Sequence, residues 1–180
     1  GCEGEPLTRG EVLVRATERI RRAHPEATIH INTNGSKPRT LRRMIEAGCT
    51  SVRISAISFD DAIFRPYYRP VGYSLDEVLE CGRVMSRAGG QVCLNLLTFP
   101  GITDVPAELR RTTLACAEMG VHQVQWRSLN VDHDWLVEVL PRLDDGIGMT
   151  QALRALSDAL PAVEHGNFTR PWPVAVAVRQ

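Results

Sequence analysis

The amino-acid sequence predicts an α/β protein with a parallel sheet, arranged as part of a (β/α) barrel. Helix-like and strand-like segments alternate along the chain, and such alternation implies right-handed βαβ units. The chain has 180 residues, whereas a complete eight-stranded TIM barrel needs about 250. Because only four full strands are recognisable, we expect a partial, TIM-like barrel with its ligand site at the carboxyl ends of the strands.

Two helices and two strands are predicted in the first half of the chain from the spacing of apolar residues. The helices cover residues 10–23 and 38–47, and the strands cover residues 28–33 and 51–55. Three apolar residues of the first helix share one face and are expected to point inward: Leu13, Ala16 and Ile20. Since the series begins with a helix, we expect the barrel to be truncated at its N-terminus.

The second half continues the alternation after a predicted loop over residues 56–73, which is rich in aromatic residues and proline. Ser74 and Glu77 have the spacing of a capping box, so a helix is expected to begin there. Asp104 is expected to cap a further helix with three residues inside: Leu109, Leu114 and Ala117. The other predictions are strands over 91–99 and 121–129, helices over 135–140 and 149–160, and a doubtful strand over 174–178.

These elements suggest a partial barrel over residues 1–145, followed by a C-terminal helix and irregular tail over 146–180. The hydrophobic fraction is 43%, the charged fraction is 23% and the formal net charge is zero. Such a composition is typical of a soluble globular protein and argues against non-specific capture by nucleic acid or membranes. Since no signal peptide and no long apolar run are present, we expect a cytoplasmic protein without a membrane partner.

The cysteines are scattered and contain no C-x-x-C pair, which argues against a disulfide framework or a zinc site. Free cysteine often behaves as a small buried hydrophobe. We therefore expect burial for four of the five: Cys49, Cys81, Cys93 and Cys116.

Polar residues and glycines follow the predicted strands, where ligands of parallel α/β proteins bind. The sequence contains no Ser-His-Asp order, H-E-x-x-H motif, P-loop or G-x-G-x-x-G motif. Arg53 and Arg127 lie at strand ends among apolar residues, where an unpaired charge is costly. We interpret them as ligand-binding groups or as partners of Glu3 or Glu5.

Six short segments lie at these strand ends: residues 1–7 (GCEGEPL), 31–35 (INTNG), 51–55 (SVRIS), 67–70 (YYRP), 94–101 (LNLLTFPG) and 125–130 (QWRSLN). In order and spacing they resemble the motifs of the radical S-adenosylmethionine (radical SAM) enzymes. The resemblance covers residues 1–132. It makes the four predicted strands equivalent to the third to sixth strands of the family barrel.

The resemblance implies that the chain binds S-adenosyl-L-methionine. Gly4 and Glu5 would bind the amino group of its methionine part, with Arg53 near the carboxylate. Ser55 would contact the ribose hydroxyls, Asn95 the ribose or the carboxylate, and the backbone of residues 125–127 would flank the adenine. The predicted cofactor-binding set is therefore Gly4, Glu5, Asn34, Arg53, Ser55, Asn95 and Arg127; no catalytic residue is predicted.

The family also holds a [4Fe-4S] cluster on a C-x-x-x-C-x-x-C loop, which the sequence does not contain. Three thiolates must converge on such a cluster. We expect these ligands upstream of Gly1 in a longer protein; the alternative is a relative that has lost the chemistry. The resemblance further implies a 5′-deoxyadenosyl radical, a reductant such as flavodoxin or ferredoxin, and an unidentified small-molecule, peptide or RNA substrate.

Two other functions stay open at this point. The chain could be a binding or scaffold domain derived from such a barrel. It could also be another barrel enzyme, an aldolase or phosphate-binding lyase, for which Lys37 is a poor Schiff-base candidate.

Overall fold

The computed structural model describes residues 4–128, 131–140 and 143–174. A short 3₁₀ helix, Pro6–Arg9, precedes the first α-helix. The α-helices are α1 (Gly10–Ala23), α2 (Pro38–Glu46), α3 (Asp61–Tyr68), α4 (Leu75–Arg87), α5 (Pro106–Met119), α6 (His133–Val139) and α7 (Met149–Ala159). The strands are β1 (His30–Thr33), β2 (Ser51–Ala56), β3 (Gln91–Thr98), β4 (Gln123–Ser128) and β5 (Glu164–His165).

The strands form one sheet in the order β1-β2-β3-β4-β5, and every neighbouring pair is parallel. Each strand therefore pairs with the next strand along the chain, as the strands of a (β/α) barrel do. This arrangement confirms the predicted α/β fold and the partial parallel barrel.

The sheet has an apolar face and a polar face because successive side chains of a strand point to opposite sides. Val52 and Ile54 of β2, and Val92 and Leu94 of β3, are fully buried on the apolar face. They belong to the main core together with residues of α2, α4 and α5. α2 packs against α4, and α4 against α5, so these helices form a layer over that face. The opposite face carries the polar residues of the predicted site.

Helix α3 corrects the prediction of a loop over residues 56–73. The Asp60 side chain accepts a hydrogen bond from the Ala62 backbone N–H at 2.9 Å and caps the helix. Phe64, on the inner side, is buried in the main core. Pro66 lies inside this helix of eight residues. Because proline is disfavoured in a helix interior, its presence in the sequence led to the prediction of a loop.

Four predicted side-chain orientations are wrong. Ile20 of α1 is 45% exposed and Leu114 of α5 is 69% exposed. Ala16 of α1 is exposed as well. Ala117 is also exposed, because α5 turns a different stripe inward. Leu109, Leu13 and the predicted capping box at Ser74 and Glu77 are confirmed.

Asp104 does not cap α5, which begins at Pro106 after Val105. It is buried, and its carboxylate accepts hydrogen bonds from the backbone N–H groups of Gly101 at 2.6 Å and Gly148 at 3.1 Å. Asp104 therefore ties the loop after β3 to the start of α7.

The C-terminal part is continuous with the sheet. Leu156 of α7 lies in the main core, and β5 extends the sheet beside β4. The domain boundary at residue 145 stays a prediction. The doubtful strand over 174–178 lies, beyond Val174, outside the described residues. None of the described helices is both long and apolar enough to span a membrane.

Candidate functional site

The polar face of the sheet is organised in layers by strand register. Arg53 lies opposite Cys93, which lies opposite Gln123. Two residues further along each strand, Ser55 lies opposite Asn95, which lies opposite Gln125. We call this second row, Ser55, Asn95 and Gln125, the upper layer because it is nearer the carboxyl ends of the strands.

Glu5 connects the N-terminal loop to the end of β1. Its carboxylate accepts hydrogen bonds from the Thr33 hydroxyl at 2.6 Å, the Asn34 N–H at 2.7 Å and the Leu7 N–H at 3.0 Å. A carboxylate offers about four lone-pair positions, so one stays free for a ligand. Gly4 precedes it with φ of 118°, a backbone conformation that favours glycine. The structure thus brings Gly4, Glu5 and Asn34 together.

The upper layer contains a polar atom without a partner. The Asn95 amide donates to the Ser55 hydroxyl at 3.3 Å, while Asn95 Oδ1 is buried and accepts no hydrogen bond within the described residues. Buried polar groups are nearly always hydrogen-bonded, and an exception needs an explanation. A ligand hydroxyl or amino group would satisfy this oxygen.

Arg53 lies one layer below this position. Its guanidinium donates to the hydroxyl of Thr169, and Arg53 Nε is buried without a partner in the described part of the chain. Neither guanidinium, Arg53 nor Arg127, has a carboxylate within 4 Å among the described residues. The expected pairing of Arg53 or Arg127 with Glu5 is therefore wrong, and Glu3 lies outside the described residues. Arg127 itself is exposed and lies two residues beyond Gln125, which is one layer beyond the upper layer.

A segment that the sequence patterns did not predict, residues 166–173, crosses the polar face; we call it the strap. The Gln123 amide donates to the Phe168 carbonyl at 2.8 Å. The Thr28 hydroxyl donates to the Trp172 carbonyl at 3.1 Å and accepts from the Trp172 N–H at 2.7 Å. The strap covers the lower layer. In the upper layer Ser55 and Asn95 stay partly exposed, whereas Gln125 is buried. Its sequence has no periodicity that could have revealed these contacts.

A second missed feature is Glu108 of α5, which is 2% exposed. Its Oε1 accepts a hydrogen bond from the Phe59 N–H at 2.7 Å, so it holds the loop that follows β2. Burial raises the pKa of Glu108, while hydrogen bonds from Phe59 and Ser58 oppose this rise. Arg111 pairs with Asp60 at 2.9 Å in the same loop. One signal was available, because Glu108 shares the helical stripe of Thr112, Ala115 and Met119.

The cysteines do not form a metal site within the described residues. Cys49, Cys81, Cys93 and Cys116 are buried and free, as predicted. Burial raises the pKa of Cys49 to about 11 and the pKa values of Cys81 and Cys116 to about 12, so these thiols stay protonated at neutral pH. Among the residues described, no three His, Cys, Asp or Glu side chains are grouped to hold a metal ion.

His165 and Ser157 lie close together but do not form a nucleophile pair. The Trp126 indole N–H donates to His165 Nδ1 at 2.8 Å, which leaves the proton of the neutral ring on Nε2. His165 Nε2 is 2.9 Å from the Ser157 hydroxyl and therefore donates to it. A histidine that donates to a serine cannot act as its general base.

The structure is a parallel partial barrel of the α/β class, with polar groups at the carboxyl ends of its strands, among them Glu5 beside β1 and the unpartnered Asn95 on β3. The family model of the radical SAM superfamily matches residues 2–112. The chain belongs to this superfamily, which confirms the family expected from the sequence motifs. This membership removes the alternative of an aldolase or phosphate-binding lyase based on Lys37.

One curated relative is a GTP 3′,8-cyclase of Paenarthrobacter nicotinovorans, 33% identical over 142 residues. The alignment covers 73% of this chain and 37% of the relative, so the chain spans little more than a third of that protein's length.

Solved structures share the fold. A domain of pyruvate-formate lyase-activating enzyme from Bacteroides vulgatus has a TM-score of 0.67 at 15% identity, with 92% of this chain and 96% of that chain covered. Methylornithine synthase has a TM-score of 0.62 at 15% identity, with coverage of 86% and 44%. Streptococcus suis SuiB bound to S-adenosylmethionine has a TM-score of 0.59 at 11% identity, with coverage of 92% and 38%.

Proposed function

We propose that the protein binds S-adenosyl-L-methionine along the carboxyl ends of β1 to β4 and serves a radical SAM reaction. The unpartnered Asn95 Oδ1 beside the Ser55 hydroxyl is the observation that carries this proposal. Membership in the radical SAM superfamily and the name of the SuiB complex agree with it. On reductive cleavage the bound cofactor supplies a 5′-deoxyadenosyl radical for hydrogen abstraction.

The proposed binding residues follow the strand ends. The free lone pair of Glu5 and the backbone of Gly4 accept hydrogen bonds from the methionine amino group. Asn95 Oδ1 accepts from a ribose hydroxyl, and Ser55 is oriented for the same purpose by the Asn95 amide. Asn34 is fixed by the Glu5 carboxylate and closes the same end of the site.

Arg53 and Arg127 stand differently from the other five predicted residues. Arg53 lies one layer below the upper layer and is held by Thr169. It could contact the methionine carboxylate only if that carboxylate points down into the polar face. The carbonyl of Arg127 accepts from the Thr98 hydroxyl at 2.8 Å, which holds the backbone proposed to flank the adenine. The direct assignment of both side chains to the cofactor stays a prediction.

The described residues do not fit a [4Fe-4S] cluster, because their four cysteines are buried, protonated and not grouped. The proposal therefore assigns cluster ligands to none of them. Such a cluster would supply the electron for cleavage of the cofactor; it would need ligands other than these four cysteines and a reductant such as flavodoxin or ferredoxin. Location in the cytoplasm is part of the same proposal.

Binding of S-adenosylmethionine tests the proposal by titration calorimetry. The wild-type protein should bind, and Asn95→Ala and Ser55→Ala should each weaken binding about tenfold, the effect of losing one hydrogen bond of about 1.4 kcal/mol. Gln151→Ala, on the exposed surface of α7, is the matched control and should bind like the wild type. If the folded wild-type protein does not bind S-adenosylmethionine, or if Asn95→Ala and Ser55→Ala both bind it as tightly as the wild type, the scaffold hypothesis replaces this one.

A further inference from the structure

An open groove of about 800 Å³ lies between the end of β4 and the strap. β4 contributes Gln125 and Arg127, the strap contributes Phe168 and Thr169, and Arg53 lies at the floor. Small-molecule sites commonly have volumes of about 300–1,000 Å³. Gln125 lies directly opposite Asn95 in the sheet, so the groove borders the upper layer. A molecule in the groove would therefore lie beside the proposed cofactor position.

The charge of the groove is positive. Arg53 and Arg127 both line it, and among the described residues neither has a carboxylate within 4 Å. Glu164, at the lower end of the same face, is paired with Arg170 at 3.0 Å. Unpaired guanidinium groups attract anions, and the planar fork of arginine matches carboxylate and phosphate geometry.

Phe168 supplies the other distinctive surface. Its side chain is 86% exposed although its carbonyl is fixed by Gln123. An anchored backbone with an exposed aromatic ring offers a flat apolar face at the edge of the groove. Flat rings of ligands stack on such faces with centroid separations of about 4.5–7 Å.

We propose that this groove binds the substrate, and that the substrate carries a carboxylate or phosphate group on a flat aromatic or heteroaromatic ring. In this proposal the Arg127 guanidinium binds the anionic group of the substrate, and only the Arg127 backbone flanks the adenine of the cofactor. Phe168 stacks on the ring of the substrate. The charge of Arg53 reinforces attraction from the floor, so Arg53 is here a substrate-facing group and not a ligand of the methionine carboxylate. This inference rests on the proposed function, since it needs the cofactor to occupy the adjoining upper layer. Thr169 holds Arg53 in place and so sets the depth of the groove.

In the experiment the protein is titrated with three single-ring probes. Binding is monitored by two-dimensional NMR of the amide and indole N–H signals. Phenyl phosphate and benzoate carry the proposed anions on a flat ring, and benzylamine carries a cation on a similar ring. At least one anionic probe should bind, with an affinity that falls as salt is added. The tighter anionic probe identifies phosphate or carboxylate as the natural group. The inference would be overturned if neither anionic probe binds, or if benzylamine binds as tightly as the tighter of the two anionic probes.

Variants locate the binding. Arg127→Gln should weaken the anionic probe about tenfold or more, because it removes a charge-assisted hydrogen bond. Arg154→Gln removes an exposed arginine of α7 and is the matched control, for which no change is expected. Phe168→Ala should also weaken phenyl phosphate while leaving inorganic phosphate unaffected. Equal affinity of wild type and Arg127→Gln would contradict the assignment.

A competition separates this inference from the proposed function. With S-adenosylmethionine at saturation, the anionic probe should still bind; displacement of the probe would show that the groove belongs to the cofactor, and the inference would fail. If the anionic probe binds but S-adenosylmethionine does not, the anionic groove stands and the proposed function fails. If S-adenosylmethionine binds but neither anionic probe does, the proposed function stands and the inference that the groove binds an anionic substrate fails.

Discussion

At the scale of single residues, Glu5 organises the N-terminal side of the site. Its carboxylate accepts three hydrogen bonds, from Thr33, Asn34 and Leu7, within a partly buried loop. Asn34 therefore owes its position to Glu5 and not to the turn sequence Asn-Gly alone. The sequence motif located Glu5 correctly beside the end of β1. The hydrogen bonds from Thr33 and Asn34 could not be foreseen, since they join residues 28 and 29 positions apart.

Replacement of Glu5 by Gln should destabilise the protein by about 1–3 kcal/mol, the usual effect of leaving a buried donor unsatisfied. The oxygen of the new side-chain amide can still accept hydrogen bonds, but its NH₂ group then faces another donor. Depending on how the amide is turned, that donor is the Asn34 N–H or the pair formed by the Thr33 hydroxyl and the Leu7 N–H. Urea denaturation of wild type and variant measures the difference. Glu26→Gln, which changes an exposed glutamate, should be neutral. Equal midpoints for wild type and Glu5→Gln would show that the loop is not held by this carboxylate.

At the scale of elements, α5 and the loop after β2 are joined by Glu108. This loop begins one residue after Ala56, so its position affects how Ser55 presents its hydroxyl. A buried glutamate was not predicted because the PAELRR segment resembles the exposed start of a helix. Burial of its carboxylate depends on Phe59 and Arg111, which only the folded chain brings near.

The pH dependence of stability should show the raised pKa of Glu108. A carboxyl whose pKa is raised in the folded state favours folding below its unfolded value, near 4.5, and loses that contribution as pH rises through the folded pKa. Glu108→Gln does not titrate but keeps an acceptor for the Phe59 N–H. It should therefore gain stability relative to wild type between about pH 4.5 and pH 7.5, as measured by urea denaturation.

Glu108→Ala separates the two roles of this residue. It removes the acceptor as well as the charge. Relative to Glu108→Gln it should be less stable by about 1–3 kcal/mol at either pH, because the Phe59 N–H stays buried without an acceptor. A flat difference between wild type and Glu108→Gln across this pH range would contradict a raised pKa.

β5 is held by His165, which accepts from the Trp126 indole and donates to Ser157. Burial lowers the pKa of His165 below 6.5, so the folded state resists protonation. The sign follows: stability from this residue is present above about pH 6.5 and is lost as pH falls toward the lowered value.

Glu108 acts in the opposite direction over the same range, so the effect of His165 is read from the difference between the two proteins. As pH falls from about 7.5 to 5.5, we expect the urea midpoint of the wild type to fall relative to that of His165→Gln. Gln can accept from the Trp126 indole but does not titrate. His24→Gln, at an exposed position after α1, should behave like the wild type and serves as control. A fall of equal size in wild type and His165→Gln would assign the pH dependence to other groups.

Periodicity predicted the elements better than the faces they bury. The bounds of β1 to β4 and of most helices were predicted within a few residues, because the apolar face of a parallel sheet demands regular spacing, whereas the two-residue strand β5 was not predicted. The inward faces of α1 and α5 were partly wrong, since Ile20 and Leu114 fit the helical repeat yet face solvent. Which of two apolar stripes packs inward depends on the neighbouring helix, and a single sequence does not specify that neighbour.

At the scale of the whole molecule, the strap closes the lower part of the polar face. Trp172 is its end point: its indole N–H donates to the Gly89 carbonyl at 2.9 Å, and its ring lies edge-on to His122 at a centroid distance of 4.5 Å. These contacts join the N-terminal ends of several strands. The partial barrel thus gains, from its own C-terminal segment, an internal filling for a face that the sheet leaves uncovered.

Trp172→Ala should lower stability by about 1–3 kcal/mol, since it removes one hydrogen bond and one aromatic contact. Thermal unfolding by circular dichroism measures the effect. Phe168→Ala, which removes an exposed ring from the same strap, should change the midpoint little. A strap that is only loosely attached would instead give the same midpoint for both variants.

The overall architecture could be predicted because alternation of helices and strands leaves few alternatives to a parallel sheet. The layers of the site were predictable only in part. Ser55 and Asn95 were both named from motifs, and the structure places them side by side. Thr169 and Phe168 could not be named, because no periodic pattern connects the strap with the strands that it crosses.

The strict order of the strands, each beside its sequence neighbour, has a consequence for synthesis on the ribosome. β1, β2 and β3 can pair as they emerge, since each parallel pair needs only the helix between its two strands. The bonds between Thr28 and Trp172 join residues 144 positions apart and can form only after the strap has been made. We therefore expect nascent chains to expose the polar face until the strap arrives, so that this face acquires its native covering later than the apolar face does.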